Sequence, residues 1–185
     1  MKKILWIALG VVVLLVLTGV GKYNQLVALN QSVQASWSQI ENVLQRRNDL
    51  IPNLVETVKG YATHEQKVFI DVTEARAKVG QAKTIPEKVA ANDQMSGAIG
   101  RLLVVAENYP ALKANQNFLA LQDELAGTEN RIAVERHRYN EQVQVYNAYT
   151  QQFPNNIIVA LTGFTKQHAY FKAAEGAQEV PKVKF

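Results

Sequence analysis

Hydrophobic residues follow two different rhythms along this chain. From Ile4 to Val20 they run almost unbroken (ILWIALGVVVLLVLTGV), 17 residues with no charged side chain and a single hydroxyl, Thr18. As a helix that run covers about 26 Å, just long enough to cross the hydrocarbon of a bilayer. Lys2, Lys3 and Trp6 at one end, and Lys22 with Tyr23 at the other, are the snorkelling cations and interfacial aromatics that hold such a helix at its depth. A cleaved signal peptide starts in the same way, but Val16 to Gly21 offers no convincing small-x-small cleavage site, so the pattern predicts an uncleaved anchor.

Beyond the anchor the rhythm becomes helical. Val33, Ile40, Arg47, Leu54, Tyr61, Val68 and Ala75 form one seven-residue ladder, and Trp37, Leu44, Ile51, Val58, Glu65, Val72 and Val79 form its partner. Alternating spacings of 3 and 4 sustained this long predict an amphipathic helix with a coiled-coil-like seam. Pro52 removes a backbone donor and Gly60 weakens a second point, which predicts a kink or break at one of them. Gly80 to Lys83 closes the element. Thr84-Ile85-Pro86-Glu87 then opens a second helix with a capping box, running to about Asn108 before Tyr109-Pro110 interrupts it. Asn115 is placed to cap a third helix, in which Phe118, Leu125, Ile132, Tyr139, Tyr146 and Phe153 recur every seven residues up to Pro154. Its second seam (Leu121, Thr128, Glu135, Gln142, Tyr149) is polar at the centre.

No useful strand pattern appears before the C-terminus, so the expected class is all-α: an elongated up-and-down bundle of three or four long helices preceded by one N-terminal transmembrane helix. The expected divisions are an anchor over 1–22, a bundle over 23–164 and an extended C-terminal tail over 165–185.

Charge sharpens the picture of location. The 185 residues hold 20 Lys and Arg against 16 Asp and Glu; without Lys2 and Lys3 the remainder has 18 against 16, leaving no footprint for nucleic acid. Two lysines before the anchor against Lys22 alone after it, until Arg46, predict a single-pass protein of the cell (inner) membrane with its bundle on the periplasmic side. With no cysteine, disulfides, thiolate metal sites and cysteine nucleophiles are excluded.

Several strings in this sequence are specific: WSQIENVLQRRNDLIPNLVETVKGYATHE (Trp37 to Glu65), TEAR (Thr73 to Arg76), ENYPALKANQNF (Glu107 to Phe118), GTENRI (Gly127 to Ile132), RYN (Arg138 to Asn140) and the closing PKVKF. In order and spacing they resemble the LemA family over nearly the whole chain. The resemblance implies a membrane-anchored helical bundle with no established enzymatic activity. Some relatives belong to the proteins needed to shape magnetosome membranes, which implies membrane organisation as a class of function.

Catalytic chemistry finds little to build on. The residues three before His64, His137 and His168 are Tyr61, Val134 and Thr165, so no Glu-x-x-His di-iron motif exists, and His64-Glu65 is not followed by a second histidine at metalloprotease spacing. Nucleotide loops and nucleophile elbows are absent, and the histidines read as surface or capping residues. The expectation is a non-enzyme without cofactor or metal.

Three features carry the functional expectations. Arg47 sits within a hydrophobic seam, and aligning residue 22 with 152 in an antiparallel pair places it near Glu129; it either snorkels from the stripe's edge or joins a polar register cluster of Arg47, Glu129, Glu135 and Asn140. The run holding Ile157, Ile158, Leu161 and Phe164 returns toward the bilayer and either contacts its headgroups or caps the bundle. The last residues, with Val183 and Phe185 alternating with lysines before a free carboxylate, either tuck onto the bundle or are offered to a PDZ-bearing partner. Expected partners are the lipid bilayer, further copies of the chain and a PDZ-bearing or membrane-protease partner. The first function class is a structural, self-associating membrane organiser; the alternative is an adaptor or regulator of a membrane protease or other membrane-associated partner.

Overall fold

A computed structural model describes residues 2–171, and among them every regular element is a helix. Helix α1 spans Lys2–Lys59, 58 residues through both the anchor and the first heptad ladder. It passes Pro52 without ending, because one missing donor is a small loss where Ile51, Leu54, Val55 and Val58 are all buried around it. It stops at Lys59, immediately before Gly60. A turn over 60–65 follows, so the expected rungs Tyr61 and Glu65 lie outside any helix. Helix α2 (Gln66–Gln81) follows: the expected rungs Val72 and Ala75 are buried, and Phe69 is buried in place of Val68, which is only half-buried.

Helix α3 (Ile85–Ala106) opens on the capping box. Thr84 Oγ1 accepts from the Glu87 N–H at 3.4 Å, and the Glu87 carboxylate accepts from the backbone N–H groups of Lys83 and Thr84 at 2.9 and 3.1 Å. Those two backbone bonds hold the Glu87 carboxyl below its ordinary range. A single turn, α4 (Pro110–Lys113), leads to α5 (Gln116–Gln151), capped by Asn115 Oδ1 accepting from the Phe118 N–H at 3.1 Å. Helix α5 ends before Phe153, which is 80% exposed instead of closing the heptad ladder. Helix α6 (Asn155–Thr162) follows and stops at Gly163, whose left-handed backbone (φ 73°) suits a residue without Cβ.

The residues form two compact units, a division that the heptad pattern does not announce. One is Glu41–Ala133. Within it α2 and α3 are antiparallel, with Lys78 against Gln94 and Asp71 against Arg101. The ends of α1 and α5 are antiparallel as well: Arg46 pairs with Glu124, and Asn115 reaches Tyr61. Four helical segments thus enclose a core centred on Leu54, Val58, Val72, Met95 and Leu102, each at most 2% exposed.

The other, the first unit in chain order, takes the chain up to Ile40 and from Val134 onward. Here only two long segments meet, again antiparallel: Trp37 packs edge-on to Tyr139 (5.9 Å between centroids), and the Tyr149 hydroxyl donates to the Lys22 carbonyl at 2.9 Å. Two helices alone cannot enclose a core. Helix α6 contributes Val159, and an extended strap, 165–171, contributes Phe171, which stacks on Trp37 and meets the Tyr139 ring at 5.3 Å.

Candidate functional site

The end of the first unit nearest the anchor is built from α1, α5 and α6. None of residues 2–20 of α1 is buried and all but Gly19 are exposed, so the apolar anchor contributes nothing to either core; this helix is long and apolar enough to cross a membrane. Immediately after it, Lys22 lies over the Tyr149 ring at 5.7 Å and Tyr23 packs edge-on to Phe164 at 6.0 Å. Asn155 Nδ2 donates to the Tyr149 carbonyl at 3.0 Å, tying the start of α6 to the end of α5. Ile157 and Leu161 face outward, Ile158 and Phe164 are half-buried, and Val159 is buried. The run is therefore neither wholly core cap nor wholly free.

The strap is held by side chains of α5 that grip its backbone. Asn147 donates to the His168 carbonyl (2.9 Å) and accepts from the His168 N–H (2.8 Å); Asn140 does the same to Phe171 at 3.0 and 2.9 Å. Tyr146 donates to the Thr165 carbonyl at 2.7 Å, and Thr150 to that of Lys166 at 2.8 Å. These bonds engage backbone groups of Thr165, Lys166, His168 and Phe171 in a segment that has no ladder or helix of its own. His168 is not the surface or capping residue its sequence context suggests. Its ring lies 4.6 Å from the Tyr146 ring, with Nε2 3.3 Å from Asn30 Oδ1, and burial pushes its pKa down. Burial likewise raises the pKa of Tyr139, Tyr146 and Tyr149.

The heptad reading misses the strap because it assigns Tyr139 and Tyr146 to the core and stops there. The available signal is the repeated Tyr-Asn dipeptide at 139–140 and 146–147, which places two amides on one face of α5 seven residues apart.

In the Glu41–Ala133 unit Arg47 is 3% exposed, so it does not snorkel. Its guanidinium donates to Glu129 Oε2 at 2.8 Å and to Ser96 Oγ at 2.6 Å, and Ser96 in turn donates to the Asn92 carbonyl. The other two members expected in this cluster are engaged elsewhere. Glu135 pairs with Arg138 one turn along α5, at 2.7 Å, and Asn140 clamps the strap. Helical geometry explains this: residues 129 and 135 are six apart, about 240° around a helix, and face different sides, while Asn140, on the side of Glu129, is about three turns further along. Ser96 is the participant that sequence spacing did not bring forward. A groove of about 400 Å³ lies beside it, lined by Glu41, Gln45, Asn48, Lys88 and Asn92. Among the described residues no group of three or more His, Asp or Glu side chains is placed to hold a metal ion. Val183 and Phe185 lie outside the described residues.

The LemA family profile matches residues 36–185, most of the chain. The chain belongs to the LemA family. Magnetosome protein MamQ 2 of Paramagnetospirillum magneticum is 26% identical over 87% of this chain and 68% of its own length. Magnetosome protein MamQ of Magnetospirillum gryphiswaldense is 25% identical, over 81% of this chain and 64% of its own. Protein LemA of Metamycoplasma hominis is 26% identical over 89% of this chain and 73% of its own. The chain thus spans about two-thirds of the length of these MamQ relatives. The LemA match begins within the first unit's stretch of α1 and takes in the Arg47, Glu129, Asn140 and Asn147 positions.

Proposed function

We propose that this membrane-anchored LemA-family protein is a structural, self-associating organiser of the membrane that holds it, and not an enzyme. The observation that carries this reading is the continuity of α1 from the apolar anchor into the first unit. No linker separates Val20 from Leu26, the first fully buried core residue. An adaptor that searches for a partner gains from a flexible tether, whereas a helix shared by anchor and fold transmits orientation between bilayer and bundle. Apolar surface for contact between copies is available on α5, where exposed Val134 and Val145 are 11 residues apart and share a face. The magnetosome names of the MamQ relatives agree with a role at membranes. The positive charges before the anchor favour a bundle on the extracytoplasmic side.

Light scattering on the full chain, solubilised in mild detergent at micromolar concentration, tests the proposal. The expected result is a defined homo-oligomer, a multiple of the 20.6 kDa chain. A clean monomer would refute self-association and favour an adaptor.

A further inference from the structure

We infer that α6, together with Phe153, is an interfacial helix whose outer apolar face lies in the headgroup region of the bilayer that α1 crosses. The inference rests on the membrane-anchored reading of α1 and adds a second lipid contact to it.

Position is the first support. Because α5 runs antiparallel to α1, moving from Tyr139 to Tyr149 descends from Trp37 to Lys22, the last cation before the apolar anchor. Everything that follows Tyr149 therefore lies at the anchor's end of this unit. The Asn155 bond to the Tyr149 carbonyl and the Tyr23–Phe164 ring contact keep α6 there.

Chemistry is the second. Asn155 and Val159 face inward, both at 2% exposure, and Ile157 and Leu161 are each two residues further on, about 200° around the helix and so on the opposite face. Phe153 stands in the turn just before α6, and Phe153 and Leu161 are each 80% exposed. From Gln152 to Thr165 there is no charged residue, while Lys22 and Lys166 flank the segment. An apolar outer face bounded by cations is the composition of a helix lying in the plane of an anionic membrane surface, its apolar side sunk about 5–10 Å into the headgroup boundary. Water is a poor neighbour for a contiguous apolar stripe of this kind. The bilayer is already beside it, continuous with the anchor.

The cysteine-free chain allows a direct test. Leu161→Cys, Leu15→Cys and Gln34→Cys variants of the full chain, each carrying an environment-sensitive fluorophore, are placed in nanodiscs of phosphatidylcholine and phosphatidylglycerol. Emission is quenched either by lipids bearing a nitroxide just below the headgroup or by aqueous iodide. The expected result is loss of most of the Leu161 signal to the lipid quencher, as for Leu15, with Gln34, exposed on the same unit's stretch of α1, answering to iodide. Quenching of Leu161 by iodide alongside lipid quenching of Leu15 would overturn the inference and leave the anchor standing. Failure of the lipid quencher at Leu15 would remove the anchor reading, and this inference with it. Shielding of Leu161 from both quenchers would overturn it in favour of cover by a second copy or another segment of this chain. Ile157→Cys repeats the measurement on the same face.

Discussion

Arg47 and Glu129 form an ion pair with one buried member, and that asymmetry predicts an unusual order of mutant stabilities. The Arg47 side chain is 4% exposed and that of Glu129 is 57% exposed. Removing Arg47 leaves Glu129 free to hydrate, so the cost of Arg47→Ala is the loss of the two buried stem methylenes beyond Cβ, about 1.5–2 kcal/mol at ~0.8 kcal/mol per methylene. Arg47→Met keeps most of that stem and discards the charge, and is expected to fall within about 1 kcal/mol of the parent. Glu129→Ala removes only a half-exposed side chain, yet it leaves a buried guanidinium without its carboxylate. The full penalty for breaking a buried pair is about 3–5 kcal/mol; hydration of Glu129 and the bond to Ser96 reduce the expected loss here to about 1–3 kcal/mol. In the Arg47→Met background the same Glu129→Ala change is expected to cost about 0.5 kcal/mol or less. Urea unfolding of the full chain in micelles, followed by far-UV circular dichroism, reads these differences as midpoint shifts at constant slope. Equal costs for Glu129→Ala in both backgrounds, or an Arg47→Met loss as large as that of Arg47→Ala, would refute the reasoning.

Three further expectations follow from the strap and the anchor. Asn147→Ala strips both bonds from the His168 backbone and should open the strap locally at a cost of about 1–3 kcal/mol, seen as faster amide exchange across 165–171 with little change in Glu41–Ala133. Burial holds His168 below its ordinary pKa of 6.5, so the unfolded chain takes up its proton first as pH falls; stability is whole above that value and declines as pH drops through the folded pKa. Melting temperature should accordingly fall on acidification between about pH 7 and 5, and a His168→Gln variant should flatten that slope; an unchanged slope would show that His168 is not its source. A single cysteine at Gln81 should react with an impermeant thiol reagent on intact spheroplasts, and reaction only after lysis would reverse the orientation inferred from Lys2 and Lys3.

Much of this architecture was legible in the sequence because helices announce themselves by period. Phe118, Leu125, Ile132, Tyr139 and Tyr146 recur every seven residues, and all five are buried. The caps at Thr84 and Asn115 were readable because short polar side chains have few other reasons to stand where a helical pattern begins. Of the two expected break points Gly60 is where α1 ends, whereas packing around Pro52 outweighs one lost hydrogen bond; beyond Gly60 a six-residue turn takes the expected rungs Tyr61 and Glu65 out of any helix, while Val72 and Ala75 remain buried rungs. Arg47 and Glu129 were paired by counting along antiparallel segments, which locates a partner to about a turn. That resolution favours Glu129 over Glu135, nearly two turns further on, but it cannot find Ser96 on a third helix. The strap escaped for a different reason. Extended segments gripped by side chains have no period, and their specification lies in the gripping residues, Asn140 and Asn147, not in the strap itself.

The proposed role as a mount and not a tether depends most on α1 being one unbroken helix from the anchor into the bundle. Spin labels on cysteines introduced at Val12, within the anchor, and at Gln34, on the exposed face of the same helix, report it directly. Over 22 intervening steps a continuous helix places their backbones about 33 Å apart. Pulsed dipolar spectroscopy on the full chain in nanodiscs should give one narrow distribution near that distance, and a broad distribution or a shorter mean would contradict the account.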